Sequence, residues 1–588
     1  MNKSLLSCLI FFIFFFEANA QTFTELNDTK PHDGEAAWNA LKNNYNFSWG
    51  NTDTRYPKYS IPDKNGMGNP AGGNKILNLT AWRGERVNAQ ALIYAKSAWS
   101  NVSLNTSDLK SGNRVIHSSQ VKISPVAYVM TDELNKGGKG GCGQRPDATK
   151  FDSSIVADIL DHNISGFTIE AHSTRPVWLS IDVPANAQPG NYKGILTATG
   201  ADLKPLTLQI NLKVLSRELP QPSKWSFHLD LWQNPYAVAR FHNVPLWSKE
   251  HFDYMQPIMK MLADAGQKII TATIMHQPWA GQTYDPFSSM VRKSKNIDGT
   301  WEYDYEVFDK WVTFMMEKTG IDAQINCYTM VPWAMNFDYY DKASNTVKFI
   351  HAKTSSPEFE NYWMPFLKDF ARHLKTKGWF EKTTIAMDER SLSDMQATIK
   401  IIRAADPGFK ISLAGNYHKE IEPDIYDYCI AFGQNFPPEV KALRESQGKR
   451  STVYTCCTEA FPNTFTFSAP AEATWIGWHT AAGNYDGYLR WAYNSWTKNP
   501  LQDSRFRTWA AGDCYLVYPD GRSSIRFEKL KEGIIDFEKI NILRKEFASN
   551  PKKSEQLNDA VSKFTLQGKA GRSTENMTRS ARGLLNNF

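Results

Sequence analysis

Hydrophobic and polar positions follow two different rhythms along this chain. Between about Lys75 and Leu215, short apolar runs recur with turn residues between them: Ile76–Trp82, Val87–Tyr94, Val177–Val183, Gly194–Ala198 and Leu206–Val214. In Leu206-Thr207-Leu208-Gln209-Ile210-Asn211-Leu212 every second side chain is apolar, the period of a strand with one buried face. Pro189-Gly190-Asn191 supplies a turn, and the Gly-rich stretch 137–143 reads as a loop. Many short strands without a helical period predict a β-sandwich. Leu219-Pro220-Gln221-Pro222 then breaks the pattern and reads as a linker.

Beyond it, apolar strand-like runs alternate with helical periods. Strands are predicted at Ser226–Trp232, Lys268–Met275, Gln324–Val331, Thr383–Met387, Lys410–Ala414, Tyr428–Phe432, Thr452–Cys456 and Gly487–Tyr493. Helices are predicted at Lys249–Ala265, Tyr305–Lys318, Phe359–Lys377, Ser393–Ala405 and Ala469–Ala482. Phe252, Met255, Ile258, Met259 and Leu262 show the three-and-four spacing of an amphipathic helix. Eight strands joined by crossovers predict a (β/α)8 barrel. After it, Tyr515–Tyr518, Pro519-Asp520-Gly521 and Ser524–Phe527 read as a hairpin, and Arg526–Phe547 as a long helix. The fold class is therefore an N-terminal β-sandwich followed by a (β/α)8 barrel. The expected divisions are a signal peptide (1–20), the sandwich (21–222), the barrel with its closing hairpin and helix (223–550), and a polar, partly helical, loosely held tail (551–588).

The first division rests on charge and on small residues. Met1–Lys3 is basic, Leu5–Phe16 is apolar, and Ala18-Asn19-Ala20 has the small-x-small pattern of a cleavage site, which implies an exported protein. The apolar run is shorter than the roughly 20 residues that a spanning helix needs, so no stable membrane insertion is expected. The net charge of +6 is small for 588 residues and interspersed, which argues against a nucleic-acid partner. There is no CxxC pair or HExxH, so no metal is expected. The chain also lacks a P-loop or GxSxG pattern, which leaves no implied cofactor and no serine-hydrolase elbow. Aromatic residues make up 13% of the chain and 19 are Trp, which favours a sugar ligand, because pyranose C–H faces stack on flat apolar rings.

Chemistry in such a barrel sits at the carboxyl ends of the strands. The fourth strand ends in Asp388-Glu389-Arg390. Neighbours in a strand point to opposite faces, so both carboxylates can face the pocket only if the strand finishes around Asp388. Glycoside cleavage needs a proton on the leaving oxygen and stabilisation of an oxocarbenium-like centre. Two adjacent residues are poorly placed to straddle the bond from opposite faces, but they can share the work if the substrate's own 2-acetamido oxygen attacks. Asp388 then orients the acetamido N–H, and Glu389 acts as acid and then base. That second role predicts a Glu389 pKa raised by burial and by Asp388.

Ile385-Ala386-Met387-Asp388-Glu389 resembles the strand end of the retaining β-hexosaminidases that use substrate-assisted catalysis. Gly487-Tyr488-Leu489-Arg490-Trp491-Ala492-Tyr493-Asn494-Ser495-Trp496, Gly512-Asp513, Tyr518-Pro519, Ser524-Ile525-Arg526 and Glu528–Glu538 are similar to the end of the catalytic domain of glycoside hydrolase family 123. The resemblance implies β-N-acetylgalactosaminidase activity on a glycan or glycolipid with terminal β-linked N-acetylgalactosamine. It alone carries the galacto preference.

A donor to the acetamido carbonyl is expected from Tyr454, with Tyr328 and Tyr493 behind it. Trp491 and Trp496 are candidate stacking platforms, and Trp333 a candidate pocket wall. His228, Asp230, His276 and Asn416 are candidates for binding hydroxyls. Two alternatives stay open: a non-catalytic glycan-binding protein, and a hexosaminidase preferring N-acetylglucosamine.

Overall fold

The apolar runs after the linker form one parallel eight-stranded sheet in the computed structural model, which describes residues 24–28, 32–62, 74–132, 153–201, 204–506, 509–565 and 572–588. The strands are β1 (His228–Leu231), β2 (Ile269–Thr273), β3 (Gln324–Tyr328), β4 (Thr383–Met387), β5 (Lys410–Gly415), β6 (Asp427–Ala431), β7 (Arg450–Tyr454) and β8 (Gly487–Arg490). From β2 to β8, sheet neighbours are also chain neighbours, and β8 pairs back onto β1. A bridge between Leu229 and Gln267 links β1 to the start of β2 and nearly closes the ring. β1 and β8 lie so close that a side chain at Gly487 would bring its Cβ to 2.0 Å from the His228 carbonyl oxygen. Only glycine fits there.

Helices fill the crossovers, including Lys249–Ala263, Pro357–Lys377, Leu392–Ala405 and Pro470–Ala482. From β5 to β6 the chain crosses on a single 3-10 turn, Glu422–Asp424. Serine side chains start several helices: Ser248, Ser356 and Ser391 each accept a backbone N–H of the first turn. One element has no counterpart in the apolar pattern. Arg292–Lys295, Trp301–Asp304, Asn336–Asp341 and Thr346–His351 form a separate four-stranded sheet, built from excursions after β2 and β3.

The N-terminal half is two packed sheets. One contains Tyr45–Trp49, Arg86–Ala95, Ser173–Asp182, Val121–Asp132 and Ser153–Leu160; the other includes Ile76–Arg83, Leu206–Glu218, Gly190–Thr199 and Trp99–Thr106. Their alternate side chains, Val87, Ala89, Ala91 and Ile93 against Leu208, Ile210, Leu212 and Val214, meet in one core. The stretch 137–143 and the N-terminal segment 1–20 lie outside the described residues.

The expected hairpin is corrected. Tyr518 makes a single bridge with Arg522, and Ser523–Ser524 joins the sandwich sheet, opposite Leu160 and Ile159. Ser524 Oγ accepts the Phe527 N–H at 3.0 Å, so a helix, Ile525–Glu546, starts where a second hairpin strand was expected. That helix crosses Pro470–Ala482 backbone to backbone, with Gly533 against Gly477. The C-terminal tail is also tighter than expected. Pro551–Ser562 and Arg572–Asn587 are helices whose Leu557, Val561 and Leu585 are buried, and Phe564 stacks on Trp478 at 4.6 Å. Their sparse apolar residues share one face, which is enough to anchor them.

Candidate active site

The barrel interior is stacked in layers, and the layers decide which candidates can meet a ligand. At the amino-terminal end His228 Nε2 lies 2.9 Å from Asp427 Oδ2, which also accepts Gln324 Nε2 at 2.7 Å. Above it, Asp230 Oδ2 accepts Asn326 Nδ2 at 3.4 Å, and Thr384 donates to Asn326 at 2.7 Å. Burial, helped by the Asp427 charge, pushes Asp230 well above the carboxylate range. The next layer is aromatic: Trp232 lies 4.5 Å from Tyr328 and 5.2 Å from Trp279, ring centre to ring centre.

At the carboxyl end of the barrel, β4 stops at Met387 and the next helix starts at Leu392, so Asp388 and Glu389 stand in the connecting turn. Asp388 Oδ1 accepts the Glu389 backbone N–H at 2.8 Å, which frees Glu389 from the strand alternation. Asp388 Oδ2 accepts the indole N–H of Trp333 at 3.2 Å, and the Arg390 guanidinium lies 5.1 Å from the centre of that indole. Glu389 is exposed and accepts the hydroxyl of Tyr454 on β7. The expected burial thus falls on the other partner. Desolvation and the nearby Glu389 push Asp388 up to about 6, against the opposing hydrogen bonds from the Glu389 backbone and Trp333.

The structure brings Asp388, Glu389, Tyr454 and Trp333 together, with Trp333 40% exposed. Tyr328 is buried in the aromatic layer beneath them. Trp491 is half-buried just past β8, with its indole N–H on Asp513 Oδ2 at 3.2 Å and its ring edge-on to Trp509. His276 is half-buried after β2, with its ring 6.1 Å from Phe349. Asn416 is exposed after β5, where its side chain accepts Gln434 Nε2 at 2.6 Å.

Four candidates are corrected. Trp496 is fully buried with its N–H on the Val517 carbonyl, and Tyr493 is fully buried with its hydroxyl on Ile258, both in the layer between barrel and helices. Their spacing from Trp491 gives no indication of which way each ring turns. His228 lies at the opposite end of the strand from the mouth, and Asp230 one layer above it, beneath Trp232. Residues that sequence reasoning missed are Trp232, Trp279, Arg390 and Asp513, the last paired with the fully buried Arg490 at 2.7 Å. Among the described residues, no three His, Cys, Asp or Glu side chains are grouped to hold a metal ion.

Residues 232–543 match the model of the glycoside hydrolase 123 catalytic domain, and residues 49–200 match that of the glycoside hydrolase 123 N-terminal domain. The chain belongs to glycoside hydrolase family 123. Its architecture is similar to that of a family 123 glycoside hydrolase from Clostridium perfringens, whose structural analysis concerned glycolipid glycan hydrolysis. The two share 29% identity over 93% of this chain and 97% of that one, with a TM-score of 0.81. A putative glycoside hydrolase from Bacteroides vulgatus shares 12% identity over 80% of this chain and 79% of that one, with a TM-score of 0.30. No curated protein matches the chain. The enzyme is thus a glycosidase, with its acidic pair at the end of β4.

Proposed function

We propose that this family 123 hydrolase removes terminal β-linked N-acetylgalactosamine from glycans or glycolipids, with retention, through an oxazolinium intermediate formed by the substrate's acetamido group. The observation that carries this reading is the turn after β4, which presents Asp388 and Glu389 side by side at the barrel mouth. In this mechanism the acetamido oxygen closes on the anomeric carbon as the leaving oxygen takes a proton from Glu389. Water then opens the ring as Glu389 takes a proton back. Asp388, ionised above about pH 6, accepts the acetamido N–H and balances the charge that grows on the cyclic cation. Tyr454, bonded to Glu389, turns its hydroxyl to the acetamido carbonyl as substrate enters. Trp333 and Trp491 line the sugar. The galacto preference and the glycolipid substrates rest on the family resemblance and on the Clostridium relative. Export is supported by the leader-like segment and by the disulfide at Cys457, a bond suited to an oxidising compartment.

The test is release of the aryl group from a β-N-acetylgalactosaminide beside the corresponding glucosaminide. Preference for the galacto substrate is expected. Hydrolysis of the glucosaminide alone would keep the mechanism and overturn the specificity. Binding of glycans with no turnover of either would favour a non-catalytic lectin-like role.

A further inference from the structure

The four-stranded sheet built from the excursions after β2 and β3 packs only one of its faces. Alternate residues of a strand point to opposite sides. On the inner side Phe337 packs on Phe359, Tyr362 and Trp363, while Trp301 meets Tyr362 and Tyr303 meets Phe366, all on the helix Pro357–Lys377. The outer side carries Asn336 opposite His351, Asp338 opposite Phe349 and Tyr340 opposite Val347. Phe349 is 45% exposed and Val347 60%. A single exposed apolar side chain is ordinary, but a row of them leading into an active site is not. The turn after β2 makes that connection. The His276 ring lies 6.1 Å from that of Phe349, centre to centre, and the His276 backbone N–H donates to Asp338 Oδ1 at 3.2 Å. Two residues on, the Pro278 carbonyl accepts the backbone N–H of Trp333 at 3.1 Å. Trp333 in turn holds Asp388 through its indole N–H. A row of flat or apolar side chains thus runs from Asp388 through Trp333 and His276 to Phe349 and Val347. From Asn336 to Tyr340 the strand carries it about 13 Å.

We infer that this outer face is a platform for the aglycone, the neutral oligosaccharide from which the terminal sugar is cut. The inference rests on the proposed exo-acting function. With the terminal sugar seated against Asp388, no further sugar lies on its non-reducing side, so a platform continuous with the site holds the leaving chain. The side chains name the chemistry. Phe349 offers a flat apolar face to pyranose C–H groups, and His276, Asn336, Asp338 and His351 around it exchange hydrogen bonds with hydroxyls. A lipid chain would have to cover these polar groups, the Asp338 carboxylate among them, at a cost that a sugar avoids. The platform is remote from the bond that breaks, so it adds binding energy for longer substrates and takes no part in proton transfer.

The experiment compares an aryl β-N-acetylgalactosaminide, which has no sugar beyond the cleaved bond, with a tetrasaccharide ending in β-linked N-acetylgalactosamine. Both are assayed with the full-length wild type, Phe349→Ala and Phe349→Tyr, beside a thermal melt of each protein. On the tetrasaccharide, Phe349→Ala is expected to raise KM roughly fivefold with kcat kept, and Phe349→Tyr to restore it, while the aryl KM moves by less than about twofold. Equal changes on both substrates, or none on the tetrasaccharide, with aryl turnover intact, would overturn the platform and leave the proposed function standing. No turnover of either substrate by the wild type would overturn that function and the platform with it. The same tetrasaccharide carried on a lipid in detergent micelles separates sugar from lipid. A KM effect confined to the lipid-linked form would overturn the assignment to the oligosaccharide, and an equal effect on both forms would support it.

Discussion

Two sets of acidic side chains in this enzyme meet burial with opposite results. Where the sandwich meets the barrel, Asp158 accepts Arg526 at 2.9 Å, Arg55 at 3.0 Å and the Tyr518 hydroxyl at 2.7 Å. Burial works against its charge, but Arg526 and Arg55 outweigh it and hold Asp158 below the usual range. Glu528 behaves alike: burial raises it, yet Lys531 and Arg86 bring it down to about 2. At the barrel mouth Asp388 receives only a backbone N–H and an indole N–H, and burial carries it up to about 6. Arg390, the nearby cation, lies over the face of Trp333 and lowers Asp388 less than burial raises it. Between these sites it is the charged partner, present at Asp158 and Glu528 and absent at Asp388, that turns the direction of the shift. Asp158 and Glu528 receive a guanidinium or an ammonium, whereas Asp388 receives neither as a direct partner and, in the proposed mechanism, has its charge left for the substrate.

The comparison breaks most sharply on removing the proposed acid/base. Glu389→Gln keeps the shape and the bond to Tyr454, so kcat is expected to fall by about 10²–10⁴-fold with the melting temperature unchanged. A steady-state assay beside a thermal melt checks both. At the junction the loss is of the other kind. Asp158→Asn leaves Arg55 and Arg526 without their shared charge, and breaking a buried pair costs about 3–5 kcal/mol of stability. Denaturant unfolding should show that loss, and protein that remains folded should turn over at the wild-type rate.

Asp388→Asn sets the two regions directly against each other. The folded pKa of Asp388 is raised above its unfolded value, so its contribution to stability is present below the unfolded pKa of 3.8 and is lost as pH rises through about 6. At pH 7 the ionised carboxylate therefore opposes folding. The variant is expected to melt no lower than the wild type while losing most of its turnover. The kcat/KM of the wild type should fall below about pH 6, as Asp388 gains a proton and stops accepting the acetamido N–H. The smallest effect belongs to Trp333→Phe. Its indole N–H favours the Asp388 charge, so its loss should move that acid limb to higher pH, read from the pH profile.

Much of the barrel was legible because each buried strand is a short apolar run and each helix keeps its three-and-four period. Thr383–Met387 is bounded in the chain as it is in the fold, since Asp388 is the first residue able to leave the strand. Strand ends were less legible. Ser226–Trp232 and Gly487–Tyr493 read longer than β1 and β8, because the residues after a strand can be as apolar as the strand itself. Tyr493, inside the strand as read, lies beyond β8 in the fold. The four-stranded sheet beside the barrel escaped because its outer strand, Thr346–His351, is exposed almost throughout, so Val347 and Phe349 mark no buried face. At the site the Asp-Glu pair was readable from strand position. The aromatic layer of Trp232 and Trp279 was not, because it is assembled from residues far apart in the chain.

The central claim is that Asp388 and Glu389 work through the substrate's own acetamido group. The most direct measurement compares turnover of an aryl β-N-acetylgalactosaminide with that of the matching aryl β-galactoside, which carries a hydroxyl in place of the acetamido group. The account predicts hydrolysis of the first and no measurable hydrolysis of the second. Comparable turnover of both would contradict it, because the nucleophile would then have to come from the protein or from water.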